Sequence, residues 1–195
     1  MGFYSNLEFI VGIIMIIIFS FYSHFKERKD GKRKNEDLIN SAKSTDNILR
    51  YDDYKIKYIG NVVDGKYNGY GKLYDKNGNV YYEGEFKNGE FDGHGTKYIM
   101  DGKLEYVGEF SKGKYHGKGK KYSYFYYTGL VYEGEFENGV YNGYGKEYWN
   151  QNIVYDGMFK NGKYNGYGKS YKYNSAYAIN ELIYEGDFKN GEPIA

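Results

Sequence analysis

One phrase recurs along this chain, and it limits what the chain can fold into. It reads Tyr82-Glu-Gly-Glu-Phe-Lys-Asn-Gly-Glu-Phe-Asp-Gly-His-Gly95. It returns at residues 106–119, 132–145 and 155–168. A divergent copy occupies 58–71, with Val62 in the Phe position, and a truncated copy runs from Tyr184 to Gly191. The starts are 24, 24, 26, 23 and 29 residues apart. Self-similarity at such a period marks a repeat array, in which each unit is stable only against its neighbours.

Each unit reads as a β-hairpin. In Tyr82-Glu83-Gly84-Glu85-Phe86, alternation puts Tyr, Gly and Phe on one face and both Glu on the other. Lys87-Asn88-Gly89-Glu90 is the turn, since Asn-Gly supplies the positive φ of a tight hairpin. Phe91 opens the return strand, which carries Gly93 and Gly95. Glycine normally weakens a strand. Here it is expected to make room for aromatic rings from the neighbouring strand. Gly84, Gly108, Gly117, Gly119, Gly134, Gly143, Gly145, Gly157, Gly166 and Gly168 are expected to be structural in the same sense. Asn77-Gly78 and Asp101-Gly102 turn the chain into the next unit. Composition agrees. Leu, Ile, Val and Phe together number 42, of which 13 lie in the first 25 residues, while 26 of the 28 Tyr lie in the remainder alongside most of the 28 Gly. Tyrosine, packed against glycine, replaces the usual aliphatic core.

The pattern Tyr-x-Gly-x-Phe-x-x-Gly-x-x-x-Gly-x-Gly resembles the MORN (membrane occupation and recognition nexus) repeat. The resemblance covers residues 58–195, about 70% of the chain. It implies an all-β fold: an elongated single-layer antiparallel sheet of repeated β-hairpins, two strands per repeat. It also implies a scaffold or membrane-proximal interaction module, with phospholipid binding proposed for the family, and a repeat that carries no catalytic residues.

Ahead of the array, residues 7–25 are almost wholly apolar. As a helix, 19 such residues would span roughly 28 Å, enough for a bilayer core. We expect residues 1–25 to form a transmembrane anchor. A cleaved signal peptide, leaving the chain secreted or periplasmic, is the main alternative. Against it, nothing basic precedes the run, and Phe21, Tyr22 and Phe25 crowd the place for small cleavage-site residues. Lys26, Arg28, Lys29, Lys32, Arg33 and Lys34 follow the run, which places the array on the cytoplasmic side of a single-pass protein. Residues 26–57 read as a charged linker, with a weak helix expected between Asn35 and Arg50.

Several chemistries are excluded. The absence of cysteine removes disulfides, thiol nucleophiles and Cys-ligated zinc. A net charge of +1 argues against nucleic acid as a partner. Three stretches ending at Gly65-Lys66, Gly113-Lys114 and Gly162-Lys163 mimic a P-loop, but Tyr67, Tyr115 and Tyr164 stand where Ser or Thr must hold magnesium. His24, His94 and His116 share no metal-ligand spacing. Asp75, Asn77 and Asn79 begin like a calcium loop, but Val80 replaces its glycine and Phe86 its final Glu. No catalytic, metal or cofactor site is expected.

Two charge rows remain. Glu83, Glu133, Glu185 and their counterparts lie on first strands, and Lys72, Lys120, Lys146 and Lys169 on return strands, as cross-strand pairs would require. Residues 58–195 hold 17 Lys against 18 acids, which does not favour anionic lipid. Tyr122, Tyr124, Phe125, Tyr126, Tyr127 and Trp149, in inter-unit loops, are candidate interaction residues, or else extend the core stripe. The expected function is a non-enzymatic, membrane-anchored scaffold or tether; phospholipid headgroup binding at the membrane surface is the alternative. Because a single sheet is not expected to bury its own aromatic stripe, self-association or a protein partner is expected on the Tyr/Phe face, with loop 122–127 at its margin. Pro193 is expected to protect the C-terminal sheet edge.

Overall fold

The computed structural model describes residues 47–99, 102–123 and 129–194. Among the described residues, thirteen strands form one open antiparallel sheet in sequence order. Strands β1 (Asn47–Arg50), β2 (Ile56–Val63), β3 (Lys66–Tyr74), β4 (Val80–Lys87), β5 (Glu90–Tyr98), β6 (Leu104–Ser111) and β7 (Lys114–Ser123) make the first half. Strands β8 (Gly129–Glu137), β9 (Val140–Trp149), β10 (Asn152–Lys160), β11 (Lys163–Asn174), β12 (Ile179–Lys189) and β13 (Glu192–Pro193) complete it. Each unit is one hairpin, and β12–β13 is the partial sixth. The proposed N-terminal helix lies outside the described residues, among which no helix is long and apolar enough to cross a membrane. One boundary moves. Asn47–Arg50, read as linker and the end of a weak helix, pairs with β2, and Leu49 packs against the core.

The hairpin tips follow from their sequence. Asn88 and Gly89 have φ of 53° and 90°, and the pairs Asp64-Gly65, Lys112-Gly113, Asn138-Gly139, Asn161-Gly162 and Asn190-Gly191 match them. Both central residues are left-handed, as a type I′ turn demands. The tips also stack: Gly113 N–H donates to Phe91 O at 2.8 Å, and Gly139 N–H to Tyr115 O at 2.9 Å.

Behind each tip the strands are unequal. Between the Gly84–Gly95 and Phe86–Phe91 pairs, the first strand has only Glu85, while the return strand has Asp92, Gly93 and His94. Such a bulge bends its strand, and here it brings Phe91 onto Tyr82 with ring centroids 3.8 Å apart. Four other units repeat the stack at 3.7–4.1 Å, for example Tyr106–Tyr115 and Tyr132–Tyr141. The Phe of the same unit and of the next close edge-on around the stacks of Tyr82, Tyr106, Tyr132 and Tyr155, as Phe86 and Phe110 do around Tyr82, while Phe86 alone does so at Tyr58.

The stripe is therefore sealed by the sheet itself. Tyr58, Tyr82, Tyr106, Tyr132 and Tyr155 are 0% exposed, and their Phe neighbours 3–4%. This corrects the expectation that the Tyr/Phe face needs a second copy or a partner to cover it. Alternation alone describes a flat strand; the bulge folds the hairpin end over the rings.

The two return-strand glycines do different jobs. A Cβ on Gly95 would fall 2.2 Å from Tyr82 Oη, so the ring lies on Gly95 as expected. Gly93 is not under a ring. It sits in the bulge at φ +99°, facing the Glu85 carboxylate. That carboxylate accepts the His94 N–H at 3.0 Å, and Glu109 does the same for Lys118 N–H at 2.9 Å. The ring hydroxyl satisfies the other side of the bulge. Tyr82 Oη donates to Glu85 O at 3.0 Å, Tyr106 to Glu109 O at 3.0 Å, and Tyr132 to Glu135 O at 2.9 Å. This bond needs a hydroxyl, which favours Tyr over Phe at this position.

Burial pushes these phenols up: Tyr155 to about 12, and Tyr82, Tyr106 and Tyr132 beyond that. In the unfolded chain tyrosine ionises near 10. The fold thus binds more protons than the unfolded chain above pH 10, so stability is complete below pH 10 and falls as pH rises from 10 through 12. Thermal melts should show no loss between pH 7 and 9.5, and a falling midpoint above 10, with tyrosinate absorbance appearing together with unfolding. Tyr106→Phe should cost about 0.5–1.5 kcal/mol in urea unfolding by removing the hydroxyl's bond to the Glu109 carbonyl. Gly119→Ala, whose Cβ would meet Tyr106 Oη at 2.2 Å, should cost more than Gly113→Ala, which strains only a turn with open space around it.

Candidate interaction surface

With the rings on one face, alternation sends a second set of side chains to the other. The residue between the two return-strand glycines is Tyr70, His94, Lys118, Tyr144 or Tyr167 in successive units. Tyr70 Oη donates to Glu83 at 2.8 Å and Tyr167 Oη to Glu185 at 2.7 Å; Tyr144 donates to Asp156. The expected charge rows meet here too. Lys72–Glu83, Lys120–Glu133, Lys146–Asp156 and Lys169–Glu185 pair at 2.9–3.2 Å. Each pair joins the return strand of one unit to the first strand of the next.

The hydrogen bonds tune these groups. Bonds to Glu133, Asp156 and Glu185 raise the ammonium pKa of Lys120, Lys146 and Lys169. Tyr167 and Lys169 lower the Glu185 carboxyl. Burial, then the bond to Glu83, pushes Tyr70 up to about 12. None of these shifts brings a group toward neutral pH, where proton transfer would be useful.

The ladder misses one rung. At the β5–β6 seam, Thr96 faces Val107, where the other four seams from β3 to β12 place Lys opposite Glu or Asp. Val107 is 38% exposed. Two open depressions meet at it. One of ≈600 Å³ is lined by Lys118, Lys120, Glu133, Tyr144 and Tyr148, the other of ≈390 Å³ by Tyr70, Glu83, His94 and Thr96. Their floor is backbone, at Gly84, Gly95 and Gly108 in one and Gly119 and Gly134 in the other. Glycines that seat rings on the inner face leave bare backbone on the outer one. The surface offers hydroxyls, cations, carboxylates and one apolar step, which suits recognition rather than bond making. Among the described residues no cluster of His, Asp and Glu is set to hold a metal ion.

The candidate residues distribute unevenly. Tyr122 is half-buried on β7 opposite Leu130. Trp149 ends β9 opposite Asn152 and is 57% exposed, but its neighbour Tyr148 lines the larger depression instead. Tyr124, Phe125, Tyr126 and Tyr127 lie outside the described residues. Sequence reasoning overlooked Tyr70, Val107, Tyr144 and Tyr167, although strand alternation between the glycines marks three of them. The P-loop mimics are hairpin tips, each Lys opening a strand. Asp75 Oδ1 accepts the N–H groups of Asn77 and Asn79 at 2.9 and 2.8 Å, so the calcium-like stretch is a turn. Asp92 accepts the Lys112 N–H of the next tip at 3.2 Å, a structural duty for the slot that His116 fills one unit on.

The MORN repeat profile matches residues 58–80, 82–103, 106–124, 132–152, 155–176 and 184–193, each match opening on a ring tyrosine. The chain belongs to the MORN repeat family. MORN repeats are generally non-enzymatic, and often serve as protein- or membrane-lipid-interaction modules. No individual curated protein matches the chain. In this MORN array the seam pairs are solvent-exposed, so Lys120→Ala should cost less than about 1 kcal/mol in urea unfolding. Added salt should shrink that difference.

Proposed function

We propose that this MORN protein is a membrane-anchored, non-enzymatic scaffold or tether that holds its array at the cytoplasmic face and recruits protein through the outer face of the sheet. The anchor rests on the apolar run 7–25 and the basic residues after it. The partner surface rests on one observation above all. The ring tyrosines are buried and their stacking partners partly so, while on the outer face Tyr70, Tyr144 and Tyr167 stand 47–60% exposed, the first two beside glycine backbone. Tyrosine gives a contact surface large area at low conformational cost. The lysines of the ladder are each held by an acid, which leaves little uncompensated positive charge for a lipid headgroup.

Carbonate extraction of the full-length protein should leave it in the membrane pellet at full mass. Release into the supernatant, or a chain lacking its first 25 residues, would contradict the anchor. Proximity labelling in the native cell should give a set of proteins that Val107→Arg with Tyr144→Ala removes and the tip variant Lys112→Ala keeps. An identical set in both, or recruitment that follows only the anionic lipid content of defined vesicles, would contradict the protein-binding reading.

A further inference from the structure

Two rows of side chains cross the outer face from β3 to β8. One is the seam ladder, which reads Lys72, Glu83, Thr96, Val107, Lys120 and Glu133. The other reads Tyr70, Glu85, His94, Glu109, Lys118 and Glu135. Members of both rows line the same two depressions, so the rows look out on one side. Each row is complementary to its own reverse. Turned end for end about the β5–β6 seam, the ladder sets Lys72 against Glu133, Glu83 against Lys120 and Thr96 against Val107. The second row sets Tyr70 against Glu135, Glu85 against Lys118 and His94 against Glu109. No like charges meet.

We propose that the outer face binds a second copy of this chain, face to face, about a two-fold axis that runs parallel to the strands over the β5–β6 seam. The inference rests on the outer face being the contact surface and names its partner. A two-fold contact uses the same patch on both copies, so the patch must be complementary to itself. Sheets stack about 10 Å apart with their strands aligned, and Lys and Glu side chains reaching from opposite sides can meet across that gap. Such matching of charge selects partner and register.

The missing rung places the axis. Lys and acid alternate along the ladder, so an axis over another seam would also join opposite charges. Over β6–β7, however, Val107 would face Lys120 and Thr96 would face Glu133, each charge without a partner. An axis over β9–β10 avoids that clash but leaves Val107, 38% exposed, uncovered. Over β5–β6 the apolar step of each copy is covered by Thr96 of the other.

The remaining features fit the same axis. Lys118 is exposed and makes no ion pair among the described residues. Glu85 of the second copy, also exposed, would supply one. Tyr70, 60% exposed, falls opposite Glu135 of the second copy. Glu135 lines the ≈600 Å³ depression, whose floor at Gly119 and Gly134 has no side chain to obstruct an entering ring.

The test uses the full-length protein in detergent micelles. The chain has no cysteine, so Thr96→Cys protein and Val107→Cys protein, carrying different tags, are each modified at one point. A short bis-maleimide should join the two tags. Tyr177→Cys protein, altered in a turn and 74% exposed at that residue, should be joined to neither. Two charge swaps then read the register. Lys120→Glu with Glu133→Lys keeps that ion pair within the chain but reverses it, and Lys72→Glu with Glu83→Lys does the same for the other pair. Each swapped protein should keep its circular dichroism. Either swap, present in both cysteine proteins, should abolish the crosslink, because like charges then meet. One swap in each cysteine protein should restore it. A crosslink that survives either swap, or a mixed pair that stays unjoined, would overturn the proposal. So would the absence of any crosslink in the unswapped pair. If proximity labelling still depends on Val107 and Tyr144 in that case, the outer face binds a different protein, and only the second copy is excluded.

Discussion

The structure depends on one contact: a tyrosine ring laid flat on the glycine of its own return strand. The ring needs a position without Cβ beneath it, and Gly95 and its counterparts supply one. Its hydroxyl needs an acceptor, and the first-strand carbonyl opposite the bulge supplies one. The ring needs a cover, and the bulge bends Phe91 or its equivalent onto it. Tyrosine, glycine, bulge and second aromatic therefore act together in each of the five full units. A sheet that would otherwise show an aromatic face to water carries its own core.

That arrangement shapes what the surface can do. The ring tyrosines of the inner face are buried, and the most exposed aromatic side chains between the repeat glycines lie on the outer face. On the outer face the glycines lie as bare backbone between rows of Tyr, Lys and acid, and the seam ladder ties units together while leaving a gap at Thr96 and Val107.

Much of this was legible in the sequence. The Asn-Gly tips, the two-strand unit, the alternation of Tyr and Phe against Glu, and the Lys–Glu seams all follow from local rules of turn and strand. The failures share a cause. Alternation assumes equal strands, and the bulge breaks that assumption: it put Gly93 opposite a carboxylate instead of a ring and hid the sealing of the core. Counting residues between Gly84 and Phe86, against those between Phe91 and Gly95, carries the signal. Strand β1 was missed because Asn47–Arg50 lacks the repeat's glycines and aromatics; only its pairing with β2 makes it a strand. On the outer face, the sequence points to aromatic-rich loops, while Tyr70, Tyr144 and Tyr167 are marked only by alternation between the glycines.

The self-sealed core is tested most directly by tetranitromethane nitration of the folded full-length protein, with each tyrosine followed by peptide mass spectrometry. The account predicts that Tyr54 and Tyr177, 80% and 74% exposed, react readily, while Tyr58, Tyr82, Tyr106, Tyr132 and Tyr155, all 0% exposed, react only after unfolding in urea. Nitration of those five at the rate of Tyr54 in the folded protein would show an open aromatic face and contradict it.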